Sequence, residues 1–277
     1  MKGTAMASYA ELVAHSRSLL FVPGHRPDRF AKAAGSGADV VVLDIEDAVG
    51  PESKPAAREH IDAWLAGGGR GVVRVNAAGT PWYDEDLAML AEHPDVVIML
   101  PKVTAPHQIA EALSRLASDA RVLPLVETAA GVLAVDSLLA VPGVLRAVFG
   151  NADLGTEIGV APEERTAFAY PRSRMVMASA ALRLPPPIDG VTIRLRSVEA
   201  ITDDARHALS MGFSGKLCLH PSQVPVVNQI FSPSEYELEW AREVLDAAAD
   251  GSIQQLRGQV VGKPMLERAR RLLKFAS

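Results

Sequence analysis

The chain has 277 residues, 48% hydrophobic and 22% charged, a globular composition that excludes disorder and collagen-like repeats. With 28 Lys and Arg against 33 Asp and Glu the formal net charge is -5, so no basic face for a phosphate backbone is advertised and no nucleic-acid partner is expected. The single cysteine, Cys218, excludes an internal disulfide or a thiolate metal cluster and fits a reducing compartment.

No apolar run reaches the roughly 18–20 residues of a membrane helix, and residues 1–17 lack the apolar core of a signal peptide, so a cytoplasmic protein with no membrane partner is expected. In chain order, the first apolar, β-branched run is 18–24. Pro27 suits the first turn of a helix that Gly35 and Gly37 end. The second run, 39–47, contains VVVLDIED, apolar at successive positions as in a parallel strand buried on both faces. Gly67-Gly68-Gly69 follow a helix and precede a strand, the reverse of a phosphate-binding loop, and so end a helix.

Run 71–76 is the third strand. Thr80-Pro81 reads as an N-cap and first turn for a helix carrying Leu87 and Leu90. Run 95–102 is the fourth, and Thr104-Ala105-Pro106 opens a helix with the stripe Ile109, Leu113 and Leu116. Runs 121–128 and 146–153 are the fifth and sixth. The weakest, 186–191, overlaps the stiff Pro185–Pro187 segment. Ser197 and Glu199 open a helix whose Ile201, Ala205 and Leu209 share a face before Gly212 stops it. Run 215–220 is the eighth strand.

A strand–helix unit repeated eight times closes with right-handed crossovers into a (β/α)8 TIM barrel; an open doubly wound sheet is the rival. After His220 the pattern turns helical, over 234–249 and 264–275. The expected division is a barrel catalytic domain, 1–230, and a C-terminal helical extension, 231–277. The polar linker 250–263 either covers the barrel mouth or reaches a neighbouring subunit.

A barrel active site lies at the carboxyl ends of the strands. Those ends carry Glu46-Asp47, Arg74 and Asn76, Lys102, Glu127-Thr128, Asn151 and Asp153, and His220. Any one of them equally well caps a helix; their coincidence points to a site. Glu127 and Asp153, oxygen donors without Cys or His company, suit Mg²⁺ or Mn²⁺, with water and substrate completing the shell. Arg74 brings a planar fork for a substrate carboxylate, and Glu46 and Asp47 either hold water or orient Arg74 and Lys102. His220 either touches a ligand or fixes its turn, Cys218 reads as a buried small hydrophobe, and Ser222 lacks the company of a hydrolytic triad.

The chain resembles the citrate lyase beta-subunit-like (CitE-like) proteins of the HpcH/HpaI aldolase/citrate lyase superfamily. The resemblance rests on RSLLFVPGHRPDRFAKA from Arg17, VVLDIEDAV from Val41, VVRVN from Val72, LPK from Leu100, LVET from Leu125, FGNADLG from Phe149 and GFSGKLCLHPSQVPVVNQIFSPS from Gly212. It implies a (β/α)8 barrel with a helical extension, assembled as a homotrimer or hexamer. It implies Glu127 and Asp153 as Mg²⁺ ligands and Arg74 as the substrate-binding arginine. The implied reaction is cleavage or formation of a carbon–carbon bond between an acyl thioester and a 2-oxo acid, as in malyl-CoA or citramalyl-CoA lyases. Arg74, Glu46, Asp47 and Lys102 are then the catalytic candidates. The loop of Pro23, Gly24 and Arg26, with Lys32, is the candidate contact for CoA phosphates, its alternative being a solvated basic helix start; Asn76 completes the substrate-binding set.

Two stretches depart from the resemblance. The family's tail carries a segment like G-x-Met-(Ile/Val)-Asp-x-Pro whose Asp is proposed to exchange a proton with an enolate; here Gly262 stands at that position, so one acid–base group is missing. Residues 192–196 replace a more acidic stretch. An acyl-CoA lyase is therefore expected, with an aldolase on free 2-oxo acids and a metal- or ligand-binding homologue with little turnover as alternatives.

Overall fold

The valine-rich runs pair as parallel strands because each is apolar on both faces, and eight of them close into a barrel in the order β1 to β8. The computed structural model describes residues 8–247, 255–256, 259–260 and 262–276. The elements run α1 (Tyr9–His15), β1 (Ser18–Pro23), α2 (Phe30–Ala34), β2 (Val40–Asp44), α3 (Lys54–Ala66), β3 (Val72–Arg74), α4 (Tyr83–Leu90), β4 (Val97–Leu100), α5 (Pro106–Ser114), β5 (Arg121–Val126) and α6 (Ala129–Leu139). They continue with β6 (Val148–Phe149), α7 (Asn151–Ile158), α8 (Arg165–Ala181), β7 (Ile188–Asp189), α9 (Val198–Ser210), β8 (Gly215–Cys218) and α10 (Val224–Phe231). The expected (β/α)8 barrel is the observed fold, with two helices after β6.

Alternate residues fill the barrel: Val40 and Val42, Val97 and Met99, Leu123 and Leu125 belong to one buried cluster. Val13, Tyr9 and Ala10 of α1 join that cluster, and Arg70, just before β3, lies 5.7 Å from the Tyr9 ring. Helix α1 therefore closes the barrel where the strands begin. The ladder is thinnest at β6 and β7, which share the one pair Val148↔Ile188. There the buried Arg146 donates to Ser16 O (2.6 Å), Pro186 O (2.5 Å) and Ser214 Oγ (2.7 Å), adding side-chain bonds where the backbone supplies few.

Several local expectations are corrected. The sixth run is a strand only over Val148–Phe149; Asn151 and Asp153 sit in the first turn of α7. Thr80 does not cap α4, which begins at Tyr83, and its hydroxyl donates to Ala77 O. At α5 the free N–H groups of Thr104 and Ala105 are accepted by Gln108 Oε1 (2.8 and 3.0 Å), not by the threonine oxygen. Leu209 is 46% exposed, and Ala208 takes the buried position beside Ile201 and Ala205.

The chain divides after Asn228 into two compact units. In the second, α11 (Glu235–Ala247) packs on α12 (Lys263–Ala276) through Ala241, Val244 and Ala269. Within the expected linker, β9 (Gln255–Leu256) and β10 (Gln259–Val260) form a short antiparallel pair. Among the described residues no helix is long and apolar enough to cross a membrane.

Candidate active site

The period of two that buries Val40 and Val42 also turns Asp44 inward at the end of β2, and the β2–β3 register sets it opposite Arg74. Arg74 Nε and Nη2 donate to Asp44 Oδ1 and Oδ2, both at 2.7 Å. Its guanidinium lies 4.8 Å from the Phe21 ring. Nη1 stands 3.1 Å from Glu46 Oε2 and 3.7 Å from Asp47 Oδ2. Burial works against the Arg74 charge, but Asp44, Glu46 and Asp47 outweigh it and raise its pKa.

Lys102 follows β4 with a left-handed backbone, φ 53°, a costly geometry for a lysine. That turn directs its N–H to Glu127 Oε1 (2.9 Å) while Nζ reaches Glu46 Oε1 (2.5 Å) and lies 3.8 Å from Asp47 Oδ1. One residue thus joins the ends of β2, β4 and β5. Burial pushes the Glu46 pKa up, only partly offset by Arg74 and Lys102. Its Oε2 is buried and accepts no well-aligned hydrogen bond despite the nearby Nη1.

Glu127, next after β5, is 2% exposed. Burial, then the charges of Glu46 and Asp153, raise its pKa well above the ordinary glutamate value, against the pull of Lys102 and Arg74. Asp153 approaches from the first turn of α7. The cluster holds five carboxylates, Asp44, Glu46, Asp47, Glu127 and Asp153, against two cations, Arg74 and Lys102. That surplus of negative charge, with a buried glutamate at its centre, fits a bound hard cation. Among the described residues no group of three or more His, Cys, Asp or Glu converges as a complete ligand set.

The remaining candidates divide. Asn76 is 1% exposed; its Oδ1 accepts from Lys54 Nζ (2.6 Å) and its Nδ2 donates to Asp86 Oδ2 (2.6 Å). Its amide is therefore committed beneath the site instead of facing a substrate. Lys54 Nζ also donates to Ile45 O (2.7 Å) and Glu46 O (2.9 Å), holding the backbone that carries Glu46. Pro23 ends β1, and Gly24 N donates to Asp44 O (2.7 Å); a Cβ on Gly24 would stand 2.9 Å from that oxygen. Arg26 pairs with Asp28 through two bonds of 2.9 and 2.7 Å, and Lys32 is exposed on α2. His220 Nδ1 accepts from Ser222 N (3.2 Å), so the histidine fixes its turn. Burial pushes the Cys218 thiol up to about 12, in keeping with a core residue.

Asp44, Lys54 and Asp86 were not among the candidates. For Asp44 the signal was present, because the inward alternation of Val40 and Val42 places the next inward side chain there. Lys54 and Asp86 lie on helices and carry no strand-end signature.

The HpcH/HpaI aldolase/citrate lyase family model matches residues 17–221. A citrate lyase subunit beta-like protein of Mycobacterium tuberculosis is 37% identical over 265 residues, covering 93% of this chain and 94% of its own. The mitochondrial citramalyl-CoA lyase of Homo sapiens is 32% identical over 293 residues, covering 94% and 85%. The crystal structure of CitE from Mycobacterium tuberculosis in complex with magnesium, acetoacetate and coenzyme A superposes with a TM-score of 0.83 at 36% identity, over 95% of this chain and 98% of that one.

Proposed function

We propose, from the premise that the chain belongs to the HpcH/HpaI aldolase/citrate lyase family, specific roles for its residues in a Mg²⁺-dependent carbon–carbon lyase. The enzyme cleaves or forms a short 3-hydroxyacyl-CoA, such as malyl-CoA or citramalyl-CoA, giving an acyl-CoA and a 2-oxo acid. The observation that carries the site assignment is the five-carboxylate, two-cation cluster centred on the buried Glu127.

Glu127 and Asp153 would hold the cation, which would supply Lewis-acid polarisation at the substrate oxygen. Arg74 binds the carboxylate of the 2-oxo acid portion through the guanidinium edge that Asp44 leaves open. Cleavage requires a base for the hydroxyl proton. Glu46 fits this need, since its Oε2 is buried, bears no aligned donor and has a raised pKa. Lys102 keeps that glutamate oriented, and Asp47 flanks the cations Lys102 and Arg74. The electron pair of the broken carbon–carbon bond passes to the thioester as an enolate, which then takes up a proton to give the acyl-CoA. The loop of Pro23, Gly24 and Arg26, with Lys32, takes the CoA phosphates at the rim.

Residues 1–230 are the proposed catalytic domain and 231–277 the proposed extension packing on a neighbouring subunit of a homotrimer or hexamer, which the family resemblance supports; a cytoplasmic location is proposed from the sequence's lack of a membrane run. The test is product analysis with malyl-, citramalyl- and hydroxymethylglutaryl-CoA, with Mg²⁺ and with chelator. Release of acyl-CoA with glyoxylate, pyruvate or acetoacetate, lost on chelation, is expected. Free CoA with an intact hydroxydiacid would mean that the thioester, not the carbon–carbon bond, is cut. Turnover of free hydroxy-oxo acids alone would favour an aldolase.

A further inference from the structure

The geometry points to Asp44 as a positioning residue for Arg74, fixing which edge of the guanidinium meets the substrate. This rests on the reading of Arg74 as the carboxylate-binding residue. Asp44 is fully buried and saturated. Its Oδ1 accepts from Arg74 Nε (2.7 Å) and Glu46 N (3.0 Å), and its Oδ2 from Arg74 Nη2 (2.7 Å) and Ala48 N (3.1 Å). A carboxylate with that many donors has little capacity left for a ligand, so Asp44 acts through its partners. It consumes the Nε–H and the adjacent N–H of Nη2. That leaves the Nη1/Nη2 edge, whose Nη1 stands 3.1 Å from Glu46 Oε2 without an aligned hydrogen bond, as the edge for a two-bond grip on an incoming carboxylate, with the guanidinium plane held against Phe21. The same carboxylate grips the backbone of Glu46 and Ala48, so the substrate clamp and the proposed base are referenced to one buried anchor.

The experiment is calorimetric titration of pyruvate and oxaloacetate in saturating Mg²⁺, and of Mg²⁺ alone, on wild type, Asp44→Asn, Asp44→Glu, Arg74→Ala and the Asp44→Asn/Arg74→Ala double variant. Asp44→Asn should weaken 2-oxo acid binding by about tenfold or more, the effect of losing a charge-assisted contact, while Mg²⁺ affinity changes by less than about twofold. In the Arg74→Ala background the asparagine should add nothing further, because the residue it positions is gone. Wild-type 2-oxo acid affinity in Asp44→Asn, or a fully additive double variant, overturns the positioning role. Wild-type affinity in Arg74→Ala overturns the reading beneath it, a distinguishable failure. Should Asp44→Asn not fold, Asp44→Glu decides: it keeps the charge but shifts the carboxylate by one methylene, so a tenfold loss of 2-oxo acid affinity with unchanged Mg²⁺ affinity upholds the proposal and wild-type 2-oxo acid affinity overturns it.

Discussion

Gly150 lies directly against Glu127: a Cβ added there would stand 2.3 Å from the Glu127 Cβ and 2.8 Å from its Oε2. The same glutamate accepts the Lys102 N–H on Oε1, so one oxygen is fixed from β4 and the other faces a position where only hydrogen fits. Gly150→Ala should therefore push the Glu127 carboxylate out of place. We expect Mg²⁺ affinity to fall by about tenfold or more and stability by about 1–3 kcal/mol, the usual cost of overpacking. Calorimetry and urea unfolding would measure the two; wild-type Mg²⁺ affinity would show that this contact does not set the carboxylate.

Glu127→Gln and Asp153→Asn should each weaken Mg²⁺ binding severely while leaving a folded barrel, since each removes a proposed charged ligand at the mouth rather than an apolar core contact. Titration of Mg²⁺ into both variants checks this, with far-ultraviolet circular dichroism for the fold. Unchanged affinity in both would remove them from the metal site.

The raised pKa of Glu127 gives a pH dependence with a definite sign. Burial and its acidic neighbours make the folded protein hold that proton more tightly than the unfolded chain does. Its contribution to stability is thus fully present below the unfolded pKa and is lost as pH rises through the folded one. In chelator, wild type minus Glu127→Gln should become less stable across that acid-to-neutral rise, and saturating Mg²⁺ should abolish the trend. Asp39 and Asp189, whose pKa values are lowered, contribute with the opposite sign, which is why the difference between the two proteins is the quantity to measure.

Strand positions were readable because burial on both faces leaves long valine-rich runs, as in Val40–Asp44. The sixth run misled for the same reason: a short apolar stretch ending in polar residues does not distinguish a strand from a strand followed at once by a helix. Threonine before proline fits a cap wherever it occurs, and at Thr104 the capping oxygen came from Gln108, three residues inside the helix or its flank. At the site, Arg74, Glu46, Lys102 and Glu127 were visible as charges at strand ends. Asp44 was legible only through the inward alternation of Val40 and Val42, since as the last residue of an apolar strand it lacks the look of a strand-end charge, and a strand-end amide such as Asn76 reads the same whether it faces the mouth or, as here, a buried lysine and aspartate.

Gly262 precedes α12, and its carbonyl accepts the N–H groups of Met265 (3.0 Å) and Leu266 (3.2 Å), the place of an N-cap. Among the described residues a Cβ there would meet only Pro264 Cδ, at 3.7 Å. Aspartate is a favoured N-cap residue, so Gly262→Asp should leave the melting temperature unchanged or slightly higher. If this position lacks the family's proton carrier, the variant should also turn over malyl- or citramalyl-CoA faster, a positioned acid or base being worth about 10²–10⁴ in rate. A stable variant with no gain on any acyl-CoA would show that the missing carboxylate does not limit the reaction.

Helix α1 stops the barrel where the strands begin, so traffic to Arg74 and Glu127 passes through one doorway at the opposite end. On the roles proposed above for Arg74 and the cation, the oxo-acid fragment would lie deeper than the longer thioester fragment, and with the strand-start end plugged by α1 both products would share the same exit, which favours departure of the thioester before the oxo acid.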